Sequence, residues 1–234
     1  KHTAPDVGDE AMILARVAPT VVNADRAKGA AFAEKIGAEV IIMDDGFQNP
    51  KLEKDLSFAV FDGRYGCGNG KVFPAGPLRE PLADGLARAN AFIVVGKDLA
   101  GVKEKIAADF PALPFAAVHI EQDQKIIQPL LGKKLFAFAG IGLPAKFFDM
   151  LKDYGCDVVG TQAFSDHYPY TDDDLIKLAD MAREQNAVLV TTAKDAVRVP
   201  KRFLPEIRIV EAYTVWDTPD VLCGLLSRFL NRKD

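Results

Sequence analysis

Short apolar runs recur along the chain, each bounded by polar or turn-forming residues. They are Thr20–Ala24, Glu39–Met43, Phe58–Phe61, Ala91–Val95, Phe115–Ile120, Leu135–Ala139, Val158–Thr161, Ala187–Thr191 and Ile207–Ala212. Runs this short and this continuously apolar predict strands buried on both faces, as in parallel sheets covered by helices. Helical patterns lie between them. Ala27–Ile36 is alanine-rich and stops at Gly37, and Ala145–Tyr154 stops at Gly155. Glycine suits the residue after a helix because it accepts the left-handed conformation. Thr171–Gln185 opens on Thr-Asp-Asp-Asp, a capping hydroxyl followed by acids at the positive end of the helix dipole. The predicted class is α/β, in two layered halves.

Between Phe110 and Lys134 the character changes. Pro111, Pro114 and Pro129 cluster there, and the polar segment Glu121–Lys125 separates apolar pieces. The segment reads as a hinge between domains or as a surface excursion within one; the two-domain reading expects a hinge over 113–133 between a first lobe at 1–112 and a smaller second lobe at 134–234.

Composition narrows the function classes. Apolar residues are 49% and charged residues 26% of 234, which is ordinary for a globular protein. A net charge of −4 excludes a general nucleic-acid binder, which needs a basic surface to displace counterions. Cys67, Cys156 and Cys223 form no close pair, so neither a disulfide framework nor a structural zinc is expected. No apolar run approaches the roughly 18 residues of a membrane span.

Several polar segments could carry chemistry. Asp44 and Asp45 end the run EVIIM, and ligands of open α/β sheets bind at that edge of a strand. A carboxylate there can hold Mg²⁺, or the pair is an acidic turn bent at Gly46. Gln48 could position a ligand or cap a helix. Asp9 and Glu10 precede an apolar segment, so they either cap a helix or offer a general base for a sugar hydroxyl. Gly63–Pro81 is rich in Gly and Pro and lacks apolar periodicity, as functional loops do. Within it Arg79 could clamp a phosphate, or pair with Glu80 in solvent. His167 sits in Ser165-Asp166-His167-Tyr168, where it satisfies a turn or tunes a catalytic base. Thr191–Asp195 is a further strand-end polar cluster, able to reach a nucleotide or simply to turn the chain. The P-loop pattern GxxxxGK[ST] is not found: Gly70-Lys71, Gly96-Lys97 and Gly132-Lys133 are followed by Val72, Asp98 and Lys134.

Taken together, these segments resemble the tetraacyldisaccharide 4'-kinases, the lipid A 4'-kinases of Gram-negative bacteria. The resemblance is carried by VGDEAMILAR (7–16), DR (25–26), IIMDDGFQNP (41–50), DGRYGCGNG (62–70), PAGPLREP (74–81), FAFAGIGLPAKFF (136–148), FSDHYPY (164–170) and TTAKDAVR (191–198). Many members carry Pro where Ala11 stands and His where Asn49 stands. The resemblance implies two α/β/α lobes joined by a hinge, the first of P-loop-kinase type. It implies transfer of the γ-phosphoryl group of ATP to the 4'-hydroxyl of tetraacyldisaccharide 1-phosphate, giving lipid IVA. Asp9 then matches the general base and His167, from the second lobe, its partner, within hydrogen-bonding reach or one lobe closure from it. Asp45, with Asp44, matches the Mg²⁺-binding acids. Glu10, Arg26, Gln48, Arg79 and Glu80 match other substrate- or phosphate-binding positions. The family's P-loop and its membrane-contacting stretch would precede Lys1. The chain is therefore expected to be a fragment, inactive by itself, of an enzyme peripheral to the cytoplasmic face of the inner membrane. Rival readings are a glycosyltransferase using a sugar nucleotide, and a non-catalytic lipid- or nucleotide-binding module.

Overall fold

The computed structural model describes residues 2–230. Its strands are β1 (Phe58–Asp62), β2 (Ala91–Val95), β3 (Phe115–Gln122), β4 (Lys134–Ala139), β5 (Asp157–Ala163), β6 (Val188–Thr192), β7 (Ile207–Val210) and β8 (Ala212–Trp216). Its α-helices are α1 (Ala4–Val7), α2 (Asp9–Leu14), α3 (Arg26–Lys35), α4 (Leu82–Leu86), α5 (Val102–Asp109), α6 (Gln124–Ile127), α7 (Pro144–Asp153), α8 (Asp172–Glu184), α9 (Ala193–Ala196) and α10 (Pro219–Leu230). They form two compact units, one of 1–22 with 122–213 and the other of 23–121 with 214–234.

The first unit is a sheet of order β5-β4-β6-β7 in which every pairing is parallel. Its centre is β4, whose alternate residues feed two separate cores. Leu135, Ala137 and Ala139 pack with Phe147, Phe148 and Leu151 of α7. Phe136 and Phe138 pack with Leu175, Leu178 and Ala182 of α8. A strand with helices on both faces must be apolar at every position, so the continuous run LFAFA belongs here. Helix α8 begins as expected: the Thr171 hydroxyl accepts from the Asp174 N–H at 3.2 Å, and the Asp174 carboxylate accepts from the Thr171 N–H at 3.0 Å.

The second unit has sheet order β1-β2-β3-β8, with β1, β2 and β3 parallel. Phe92 and Val94 of β2 face Leu86, Val102 and Ile106 from α4 and α5. Ile93, between them, joins Ala116, Val118, Trp216 and Val221 of α10 on the opposite face. Both units are therefore α/β/α sandwiches with mostly parallel sheets.

The boundaries differ from those expected. The chain passes between units within β3, inside the 113–133 segment, but also after Val22 and after Tyr213. Residues 1–22 belong with the later unit because Asp9 and Glu10 of α2 pair with residues there. Residues 214–234 belong with the earlier one because β8 extends its sheet and α10 covers its face. The two units are of nearly equal length.

Two expected strands are not formed. Thr20–Ala24 spans the first passage between units and makes no strand. Glu39–Met43 is irregular and exposed, with Ile42 at 92% and Val40 at 52% exposure. A strand exists through its neighbours' hydrogen bonds, and among the described residues β1 ends the sheet without pairing to this run. Ile207–Ala212, expected as one strand, is divided into β7 and the start of β8.

Candidate active site

The expected site residues fall into two clusters, one in each unit. In the first unit, Gly8 caps α2 with φ at 90°, a left-handed value that glycine adopts without a side-chain penalty. That turn puts Asp9 at the first position of the helix, where the dipole favours an acid. Asp9 is nevertheless 4% exposed. Its Oδ2 lies 2.8 Å from Nδ1 of His167 and 3.2 Å from Nε of Arg198.

His167 is delivered by the loop between β5 and α8. It adopts φ of 56°, an uncommon region for a residue with a Cβ. Its N–H donates to the Gly140 carbonyl at 3.0 Å. Gly140, just past β4, lies so close to that loop that a Cβ on it would stand 2.9 Å from the Ser165 carbonyl and 3.0 Å from the Tyr170 hydroxyl. The imidazole itself is half exposed. Asp9 is thus sequestered, while its histidine reaches solvent. Of the two arrangements expected, direct hydrogen-bonding reach and one lobe closure from it, the first is found, and both residues belong to one unit instead of to two lobes.

Glu10 pairs with Lys194 at 2.9 Å. The Lys194 ammonium, and then the backbone N–H at the helix start, hold its carboxyl below the usual glutamate range. Behind the dyad, the Asp195 carboxylate is fully buried. It accepts from the Gly140 N–H at 2.8 Å, the Tyr170 hydroxyl at 2.7 Å and the Thr192 hydroxyl at 2.7 Å. Burial, then the Asp195 charge, push the Tyr170 phenol far up, so it stays a donor.

In the second unit the remaining six residues meet. Arg79 pairs with Asp45 at 2.5 Å. Arg26 donates to the Asp44 carbonyl at 3.4 Å, and Gln48 donates to Glu80 at 3.0 Å. Asp45 has φ of 49°, in the left-handed region that Asp tolerates better than most residues. Asp44 and Asp45 sit on a turn next to the 63–81 loop and not at the end of a sheet strand, because Glu39–Met43 is not paired into the sheet. Both carboxylates are exposed.

Sequence reasoning left three side chains unassigned. Arg88 holds both oxygens of Glu80, at 2.9 and 2.8 Å, and stacks over Phe47. Lys194 and Arg198 support Glu10 and Asp9. The last two lie in Thr191–Arg198, where a structural turn and a ligand site could not be separated by pattern. Arg88 carries no pattern that marks it.

The chain matches the family model described as tetraacyldisaccharide-1-P 4'-kinase over residues 1–228. The tetraacyldisaccharide 4'-kinase of Rhodospirillum centenum is 45% identical over 234 residues, covering 100% of this chain and 68% of that protein. That of Bradyrhizobium is 52% identical over 200 residues, covering 85% and 57%. A crystal structure of LpxK from Aquifex aeolicus, described as in complex with ATP, superposes with a TM-score of 0.71 at 26% identity, covering 97% of this chain and 70% of that one. The Gly8-Asp9-Glu10 turn, the Asp44–Asp45 acids and the His167 loop lie within the matched span, and the chain belongs to the tetraacyldisaccharide-1-P 4'-kinase family.

Proposed function

We propose that Asp9 is the general base of a kinase that transfers the γ-phosphoryl group of ATP to the 4'-hydroxyl of tetraacyldisaccharide 1-phosphate, giving lipid IVA. The observation that carries this reading is the 2.8 Å hydrogen bond between His167 and the buried Asp9 carboxylate. A base within reach of a hydroxyl takes its proton as the oxygen attacks phosphorus. The imidazole N–H fixes one oxygen of that base, and among the described residues Oδ1 of Asp9 makes no hydrogen bond. In this reading that oxygen receives the proton of the incoming hydroxyl. Phosphoryl transfer otherwise depends on alignment and charge neutralisation. Arg79 is the guanidinium suited to a phosphate, with Arg26 beside it in the same cluster.

The second cluster also fits Mg²⁺. Asp44 and Asp45 are adjacent exposed carboxylates. Mg²⁺ keeps several waters and takes one or two carboxylates with substrate phosphates, so a sparse donor set suits it. Asp45, with Asp44, would hold the ion, which supplies neutralisation of phosphate charge.

No described helix is long and apolar enough to cross a membrane. Since the acceptor is a lipid, the reading places the protein peripherally on the cytoplasmic face of a Gram-negative inner membrane. No observation favours the sugar-nucleotide reading.

The test is transfer from labelled ATP to tetraacyldisaccharide 1-phosphate in detergent micelles, using this chain preceded by the family's P-loop segment. Phosphorus–proton correlation spectra of the product should place the new ester at the 4' position. Esterification elsewhere, or consumption of a UDP-sugar in place of ATP, would contradict the proposal.

A further inference from the structure

We propose that Arg198 is a positioning residue that sets the orientation and the working charge of Asp9, with Asp195 as its counterweight. The inference rests on the reading of Asp9 as the base.

Arg198 lies just past α9, and its side chain is 5% exposed. Arginine is almost never buried without partners. Here Nη2 lies 2.6 Å from Oδ1 of Asp195 and donates to the Gly140 carbonyl at 2.9 Å, while Nη1 donates to the Tyr168 carbonyl at 3.2 Å. Those three contacts use one end of the guanidinium. The other end, Nε, stands 3.2 Å from Oδ2 of Asp9 without hydrogen-bond alignment. A buried N–H without a partner costs stability, and this one adjoins the carboxylate oxygen that accepts from His167. A structural arginine would be expected to spend that donor; this one leaves it beside the base.

The charges around Asp9 can be enumerated. Arg198 is the cation in contact. His167 faces it from the β5–α8 loop, with Asp166 3.8 Å from the far imidazole nitrogen. Glu10 follows it on α2, paired to Lys194 of α9. Asp195 of α9 shares Arg198 with it. One guanidinium is thus divided between two buried carboxylates. Its positive charge lies against both, so losing it removes an attraction at Asp9, and losing the Asp195 charge leaves more of it to Asp9. Tyr170, Thr192 and the Gly140 N–H keep Asp195 in place for this role.

A purely structural role and a charge-setting role differ in sign. Removing the cation disfavours the ionised carboxylate, and removing Asp195's charge favours it. The experiment measures kcat and the KM for ATP against pH for Arg198→Gln, Arg198→Lys and the isosteric Asp195→Asn, in this chain preceded by the family's P-loop segment. Circular dichroism establishes that each is folded. Arg198→Gln should move the acid limb of kcat to higher pH, because a nearby cation favours the charged carboxylate. Asp195→Asn should move it to lower pH. Arg198→Lys keeps the charge and loses the fork, so the limb should stay while kcat falls roughly tenfold. The KM for ATP should be unchanged in all three. A limb that stays still in Arg198→Gln or in Asp195→Asn, or that moves the same way in both, would overturn the proposal. If Arg198→Gln does not fold, Asp195→Asn decides alone, and an unmoved limb contradicts the inference. Wild-type turnover by Asp9→Asn would instead remove the underlying reading of Asp9 as the base.

Discussion

The carboxylate of Asp9 and the imidazole of His167 are 158 positions apart in sequence and 2.8 Å apart in space. The pair is asymmetric, with the acid buried and the histidine half exposed. A histidine so placed orients that carboxylate and is not itself sealed from solvent. His167→Ala should therefore lower kcat by about a hundredfold, the lower end of what acid–base groups contribute. The KM for ATP should stay within a few-fold. Steady-state kinetics on the chain preceded by the family's P-loop segment decides this. A rise in the KM for ATP at constant kcat would place His167 in nucleotide binding instead.

Arg79 and Asp45 form a close ion pair with both side chains more than 60% exposed. Exposed pairs contribute about 0–1 kcal/mol to stability. Arg79→Ala should thus leave the denaturation midpoint nearly unchanged and reduce kcat/KM by at least about tenfold, the loss of one charged phosphate contact. Calorimetry and kinetics on the same preparation separate the two effects. A lowered midpoint with intact kinetics would make Arg79 a structural residue.

His119 on β3 is held between Glu121, at 3.1 Å, and Asp217, at 2.7 Å. Its hydrogen bonds to those two carboxylates raise its titration above the ordinary 6.5. A folded-state value raised above the unfolded one gives stabilisation that is fully present below about pH 6.5. That stabilisation is lost as the pH rises through the higher folded value. His119→Gln should remove it. The midpoint difference between wild type and variant, followed from acid to alkaline pH, should be largest on the acid side and shrink as the pH rises. A difference that grows with pH would contradict the arrangement.

Gly140 has no room for a side chain against Ser165, Tyr168 and Tyr170. Gly140→Ala must push away the loop that carries His167. The expected cost is about 1–3 kcal/mol of unfolding free energy, as for other overpacked sites, with a parallel loss of kcat. Urea denaturation measures the first and the kinase assay the second. An alanine variant of wild-type stability and activity would show that the loop gives way freely.

The pattern located β1, β2, β4 and β6 to within one residue at each end. Ala91–Val95 and Leu135–Ala139 are central strands, and their burial on both faces is what makes them continuously apolar. Glu39–Met43 is likewise apolar from Val40 onward but has no sheet neighbour among the described residues, and an apolar run does not encode a neighbour. The order of the units was equally hidden. Nothing local in residues 1–22 says that they pack with 122–213, because the contacts responsible join residues far apart in sequence. The candidate site residues were legible as motifs, and Asp9 and His167 stand within hydrogen-bonding reach, as expected. Arg198 was not assigned, because the pattern TTAKDAVR gives no sign that its arginine is buried between two carboxylates.

The central claim is that Asp9 takes the proton from the acceptor hydroxyl. Its most direct test is single-turnover phosphoryl transfer by Asp9→Asn, in this chain preceded by the family's P-loop segment and saturated with ATP and Mg²⁺. Asparagine keeps the shape and the reach to His167 but cannot serve as the base. The rate should fall by roughly a hundredfold to ten-thousandfold, with ATP affinity unchanged. A rate within a few-fold of wild type would contradict the account.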